Sequence, residues 1–154
     1  MFLLPVSIDD IDAISRIETE SFAQPWKRQA IIAELDCPAG CHLAAKDCLP
    51  PQLHAVVMAY IFVRFLTDEM HIMKIAVASH WRNRGMGKAL LSAAQNEGSR
   101  RGAATALLEV RSANIAAISL YKKTGFQTIG IRPNYYPQTG ESALVMSKRL
   151  KEES

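Results

Sequence analysis

The sequence predicts an α/β fold: a mixed, mostly antiparallel sheet that carries one central parallel βαβ unit. Three observations lead to it. Apolar, β-branched and aromatic residues gather in three runs, 42–46, 54–65 and 70–77, separated by the stretches 47–51 and 66–69, which is the pattern of an antiparallel meander. Leu90, Ala93, Ala94 and Glu97 then recur at helical spacing within residues 88–101, and Gly102 is a C-cap candidate. Residues 104–110 follow as a strand, with Thr105, Leu107 and Glu109 on one face and Ala106, Leu108 and Val110 on the other. Strand, loop, helix and strand in that order form a crossover, so the strands at 70–77 and 104–110 should be parallel.

The flanking segments complete the pattern. Ser7-Ile8-Asp9-Asp10 has the look of an N-cap followed by early acidic residues, and Ile8, Ile11, Ile14 and Ile17 recur along one face of a first helix. Pro25 and Trp26 interrupt it. Ala30, Ile31 and Leu35 mark a second, short helix that ends before Cys37-Pro38-Ala39-Gly40. Asn114 is placed to N-cap a helix over 115–123, which Gly125 terminates. Residues 127–132 and 142–149 read as the last strands, joined by the polar, turn-rich stretch 133–141.

Length and charge narrow the class of protein. With 154 residues, 49% of them hydrophobic, the chain suits one compact domain spanning residues 1–154. A net charge of +3 without a long basic tract or interleaved aromatics gives no sign of nucleic-acid binding. The first residues, Met-Phe-Leu-Leu-Pro-Val-Ser-Ile, have no basic leader and only a short apolar run, so a cytoplasmic protein without a signal peptide or membrane span is expected. Cys37, Cys41 and Cys48 include no Cys-x-x-Cys pair, although His42 and His54 lie nearby; free thiols in a reducing compartment are expected, and no metal.

The most informative stretch is His80-Trp-Arg-Asn-Arg-Gly-Met-Gly-Lys-Ala-Leu-Leu91, which links the meander to the central helix. The amides of Arg84, Gly85, Met86 and Gly87 fall at a helix N-terminus, where four donors lack intrahelical partners. Arg82, Arg84 and Lys88 crowd the same end, although each cation beside the positive pole of the helix dipole costs roughly 0.3–1 kcal/mol. An anion would relieve them, and two glycines let it approach the backbone, so a phosphate or pyrophosphate is the natural ligand. The plain alternative is a basic, solvated turn. A Walker loop is absent, and a dinucleotide fingerprint would need a glycine where Leu90 stands.

Two further side chains suggest chemistry. Glu109 is ionisable near the end of an otherwise apolar strand; burial there would suit a general base, while a salt bridge to Arg111 or a neighbouring helix would make it structural. Tyr121 follows Asn114 by about two helical turns, which puts both on one side of that helix. Glu109 and the basic loop both belong to the C-terminal ends of strands expected to be parallel, where ligands gather in such sheets.

Taken together, Ile75-Ala-Val77, Arg82-x-x-Gly-x-Gly87, Leu-Leu-Glu109-Val-Arg, Asn114, Ala-Ile-Ser-Leu-Tyr121-Lys-Lys-Thr-Gly-Phe126, Pro25-Trp26 and Asn134-Tyr-Tyr-Pro137 resemble a GCN5-related N-acetyltransferase of the RimI branch, the bacterial protein N-terminal acetyltransferases. The resemblance implies helices on both faces of the sheet and acetyl-CoA as donor. It implies that the amides of Asn83, Arg84, Gly85, Met86, Gly87 and Lys88 hold the pyrophosphate. Ile75, Ala76 and Val77 would present backbone groups to the pantetheine arm and thioester, with an oxyanion donor at Val77. Asn114 would contact the cofactor beyond the thioester, Glu109 would accept the amine proton through water, and Tyr121 would protonate the departing thiolate in a direct transfer. Tyr135 and Tyr136 would border the peptide entrance. One departure is that Ala78-Ser79-His80 stands where the family usually has an acidic residue and proline. The cysteine-bearing stretch 37–51 matches no family feature, and its cysteines are not cast as nucleophiles.

A magnitude favours one acceptor. Deprotonating an α-amine of pKa about 7.7–8.0 at pH 7 costs on the order of 1 kcal/mol, against roughly 4–5 for a lysine. A peptide or protein N-terminus is therefore the expected partner, and the resemblance implies that of a small-subunit ribosomal protein. A small amine or free amino acid is the rival acceptor. A non-catalytic acyl-CoA-binding module is the rival class, which the presence of both Glu109 and Tyr121 disfavours.

Overall fold

A computed structural model describes residues 1–49 and 54–151. The expectations for Pro50 and Pro51, and for the side chains of Cys48 and His54, lie outside the described residues. The elements are β1 (Phe2–Pro5), a 3-10 turn (Ile8–Asp10), α1 (Ile11–Ser21), α2 (Arg28–Leu35), β2 (Gly40–Leu49), β3 (His54–Leu66), β4 (Glu69–Val77), α3 (Met86–Arg100), β5 (Thr105–Arg111), α4 (Ile115–Lys123), β6 (Gln127–Tyr136) and β7 (Glu141–Arg149). A second 3-10 turn, Ser79–Trp81, precedes α3. The strands form a seven-stranded mixed sheet in the order β1-β2-β3-β4-β5-β7-β6. The predicted parallel pair is present: β4 and β5 run parallel from Glu69↔Thr105 to Ile72↔Leu108. Their neighbours β1–β2, β2–β3, β5–β7 and β6–β7 are antiparallel.

The structure departs from the sequence reading in three places. The opening residues form an edge strand on β2, which the lack of alternation in so short a run concealed. Ile8 is 64% exposed, because the first turn is 3-10 and α1 begins only at Ile11; Ile11, Ile14 and Ile17 alone keep the buried face. β6 continues through Pro133 to Tyr136, with irregular register and Asn134 at φ +52 in the left-handed region that asparagine tolerates.

The chain folds into two compact units, Met1–Arg64 with Lys74–Ala94, and Phe65–Met73 with Gln95–Ser154. In the first, Ile11, Ile14, Ile17, Ile31, Tyr60 and Phe62 form a core against which Phe22 and Trp26 pack. Trp26 lies flat on Phe62, ring centroids 5.6 Å apart. Charged groups inside this unit are paired, as burial requires. The Asp10 carboxylate accepts from the Ser7 amide at 2.8 Å and meets Lys46 Nζ at 2.7 Å. Glu18, fully buried in α1, accepts from the Trp26 amide at 2.8 Å, from Lys74 Nζ at 2.9 Å and from the Tyr60 hydroxyl. In the second unit, Gly98 of α3 lets Met70 and Leu150 approach closely; a Cβ there would meet Met70 Sδ at 2.9 Å.

His42, one of the residues near the cysteines, has both ring nitrogens occupied by protein groups. Nδ1 accepts from the Val63 amide at 3.1 Å, so Nε2 carries the proton and donates to the Glu34 carbonyl at 2.9 Å. Burial pushes its pKa down, against the opposing pull of the Glu34 carboxylate 3.7 Å away. The neutral ring therefore contributes stability above the unfolded pKa of about 6.5, and that contribution is lost as pH falls towards the lower folded value. Urea denaturation across this window should show wild-type stability declining more steeply on acidification than that of His42→Phe. Equal slopes would contradict the assignment. Cys37 and Cys41, half-buried nearby, are not joined in a disulfide.

Candidate active site

The basic loop is built by the turn that leaves β4. The Ala78 amide donates to the Met58 carbonyl of β3 at 2.8 Å. Successive amides of an extended strand face opposite edges, so the Val77 amide faces away from β3. The Val77 carbonyl accepts from Arg82 Nε at 3.1 Å, and Arg82 also reaches the Ser21 hydroxyl at 3.2 Å. Where an acidic residue and proline were expected after the strand, an acidic group arrives from α1: Glu20 accepts from the Ser79 amide at 2.9 Å and so fixes the Ser79–Trp81 turn.

The loop then bends through two left-handed residues, Asn83 at φ +62 and Gly85 at φ +80. α3 begins at Met86, and the Ala89 amide closes the first bond onto the Gly85 carbonyl at 3.0 Å. The helix therefore leaves the amides of Gly85, Met86, Gly87 and Lys88 without intrahelical acceptors. A Cβ added at Gly85 would meet nothing within 4 Å, so open space lies in front of that backbone. Arg84 and Lys88 are exposed, with the Arg84 guanidinium 5.0 Å from the Trp81 ring. Among the sequence-predicted residues, Ile75, Ala76, Val77, Asn83, Arg84, Gly85, Met86, Gly87 and Lys88 all lie in this first unit. Their amides, open space and cations suit a pyrophosphate.

Glu109, Asn114, Tyr121, Tyr135 and Tyr136 lie in the second unit. Glu109 is placed by the alternation of β5, whose Leu108 and Val110 turn inward while its own side chain stays 32% exposed. The burial that would have suited a general base is thus absent, and of the structural alternatives, a salt bridge to Arg111 or to a neighbouring helix, neither forms among the described residues. The carboxylate instead meets Arg132 Nη2 of β6 at 3.3 Å, and its proximity pushes the Tyr135 pKa up. Arg111 is engaged elsewhere, 3.7 Å from Glu141 Oε2 and with its guanidinium 3.7 Å from the centre of the Tyr136 ring. Tyr135 and Tyr136 meet edge to face at 5.1 Å.

Asn114 caps α4 as predicted, its side-chain oxygen accepting from the Ala117 amide at 3.2 Å. Tyr121, two turns on, is buried at 5% exposure and packs against Phe126 at 5.9 Å. Its carbonyl accepts from the Phe126 amide at 2.9 Å, closing the helix through Gly125 at φ +101. No hydrogen bond to its hydroxyl is found among the described residues. Burial pushes the phenol pKa up, which keeps it a proton donor throughout the physiological range. Arg132, the partner of Glu109, escaped sequence reasoning because a lone arginine in a polar stretch carries no local signal.

Comparison with known proteins identifies the family. Residues 11–126 match the acetyltransferase (GNAT) family. A relative from Escherichia coli strain K12, named [ribosomal protein bS18]-alanine N-acetyltransferase, is 34% identical over 142 residues, covering 90% of this chain and 90% of its own length. The crystal structure of the ribosomal-protein-S18-alanine N-acetyltransferase from Escherichia coli superposes with a TM-score of 0.86 at 29% identity, covering 99% of this chain and 96% of that one. Arabidopsis thaliana NAA60, solved in complex with acetyl-CoA, shares the fold with a TM-score of 0.85 at 17% identity, covering 96% of this chain and 97% of its own. A matched segment that runs from the first buried isoleucine of α1 to Phe126, with the glycine-bearing loop and Glu109 inside it, places this chain in the acetyltransferase (GNAT) family.

Proposed function

We propose that residues 1–154 form one N-acetyltransferase domain that moves the acetyl group of acetyl-CoA to the N-terminal α-amine of a protein in the cytoplasm, with a small-subunit ribosomal protein, bS18 or its counterpart, as acceptor. The observation that carries this reading is Glu109. It is an accessible carboxylate met by Arg132, with Tyr135 beside it, on a strand of a family whose chemistry needs a proton acceptor. The relative named for acetylating the alanine of bS18 supports the choice of acceptor.

Each residue has a role in keeping with its surroundings. The amides of Asn83, Arg84, Gly85, Met86, Gly87 and Lys88 bind the donor's pyrophosphate, with the Arg84 and Lys88 charges alongside. Ile75, Ala76 and Val77 offer backbone groups to the pantetheine arm and thioester, and the Val77 amide, turned away from β3, donates to the oxyanion. Asn114 touches the donor through the carboxamide nitrogen that its capping bond leaves unused. Glu109 takes a proton from the acceptor ammonium, directly or through water. The freed amine attacks the thioester carbonyl carbon, the C–S bond breaks as the Tyr121 hydroxyl protonates the departing thiolate, and the attacking nitrogen gives up its second proton to solvent to leave the amide, while Tyr121 regains a proton from solvent. Tyr135 and Tyr136 flank the acceptor.

Thiol release from acetyl-CoA, followed with short peptides of varied first residue, with lysine side-chain amines and with small amines, tests the assignment. Turnover on peptides beginning with alanine and none on small amines is the expected result; the reverse preference overturns the choice of acceptor. Tyr121→Phe should lower kcat by about 10–100-fold while acetyl-CoA still binds. Single-turnover kinetics with unchanged acetyl transfer in this variant would remove the proposed acid.

A further inference from the structure

Around Glu109 the second unit sorts two carboxylates, two arginines and two tyrosines into separate groups. Glu109, Val145 and Gly130 stand in register across β5, β7 and β6, and one step along the same face stand Arg111, Ala143 and Arg132. Both arginines flank the small Ala143, yet they take different partners. Arg111 is occupied by Glu141 and the Tyr136 ring, and is itself mostly covered, at 24% side-chain exposure. Arg132, at 57%, turns to Glu109, beside which Tyr135 also lies. The groups facing Glu109 are therefore Arg132, Tyr135 and Tyr136 of β6, with Arg111 of its own strand and Glu141 of β7 beyond.

We propose that Arg132 is a positioning residue for Glu109: its guanidinium aims the carboxylate until the acceptor's ammonium displaces it. The proposal rests on the reading of Glu109 as the proton acceptor. Arg132 and an incoming ammonium are cations that seek the same carboxylate, so they compete for it. An exposed ion pair at 3.3 Å is a weak one, so the guanidinium yields at little cost. The neighbouring Tyr135 hydroxyl is neutral and does not compete for the carboxylate. Arg111, half-covered by the Tyr136 ring and paired with Glu141, is not exchangeable in this way, and those partners hold it off Glu109.

Steady-state kinetics of the full chain with acetyl-CoA and an alanine-initiated peptide, for wild type, Arg132→Gln and Arg132→Lys, tests this. In Arg132→Gln the carboxylate loses its guide and the ammonium its competitor. The expected result is a roughly tenfold fall in kcat together with a fall of about threefold in the acceptor KM. Arg132→Lys, which restores a competing cation, should return both towards wild type. Any profile lacking the paired fall in kcat and KM overturns the proposal; a raised KM at constant kcat would instead mean that Arg132 contacts the acceptor. Glu109→Gln, run alongside, separates the two ideas. Full activity in that variant refutes Glu109 as proton acceptor, whatever Arg132→Gln does.

Discussion

Replacing Glu109 with glutamine is expected to lower kcat/KM for the acceptor peptide by about 10²–10⁴-fold at neutral pH, with acetyl-CoA affinity unchanged. Glutamine keeps the shape, but it cannot take a proton and it loses the charge that Arg132 and an ammonium seek. An α-amine of pKa about 7.7–8.0 deprotonates by itself as pH rises, so the deficit should shrink above that range. Kinetics from pH 7 to 9.5, with isothermal titration of acetyl-CoA as a control, checks both parts. A variant that turns over as fast as wild type at neutral pH would leave the proposed mechanism without a base.

Removing the fully buried Glu18 carboxylate of the first unit should have the largest effect on stability. Glu18 is fully buried and joins the Trp26 amide before α2, Lys74 of β4 and the Tyr60 hydroxyl of β3. Lys74 in turn lies 3.7 Å from the Phe22 ring centre and 5.2 Å from that of Trp26. Burial, with Glu18 adding to it, pushes the Tyr60 phenol far up, so Tyr60 donates throughout the working range. Glu18→Ala withdraws the acceptor from two polar groups and one cation in a covered environment, a loss of about 3–5 kcal/mol. At roughly 2–4 °C per kcal/mol for a chain of this size, the melting temperature should fall by on the order of 10 °C. Glu18→Gln, which keeps an acceptor oxygen, should lose less. A melting temperature that hardly moves in Glu18→Ala would show that the carboxylate holds none of these segments. Lys74 immediately precedes Ile75, so acetyl-CoA affinity should weaken in the same variant.

Much of the fold was legible in local spacing. Alternation at residues 105–110, helical recurrence across 88–101, Asn114 as a cap and glycines at 102 and 125 each act within one or two turns of chain, and the structure has them where they were read. The exposed helix end was legible to within one residue: the unpartnered amides were read at Arg84–Gly87 and stand at Gly85–Lys88, because they follow from where the helix starts. β1 and the end of β6 were not, since each is held as a strand by a partner distant in sequence: Phe2 sits opposite Lys46, and Tyr136 opposite Glu141 across an irregular register.

Partner choice is where tertiary structure alone decided. The residues themselves set that Glu109 would share one face of its strand with Thr105 and Leu107, that a cationic loop would open α3 and that Tyr121 would lie on α4. Whether Glu109 met Arg111, two residues away, or Arg132, on another strand, depended on how β7 and β6 line up with β5. Likewise, nothing near Glu18 announces a tyrosine forty-two positions on as its partner. Periodicity tells which side of an element a residue occupies, because that is a property of one backbone. Which charge it will find there is set by register between elements, and register is fixed only when the whole core packs.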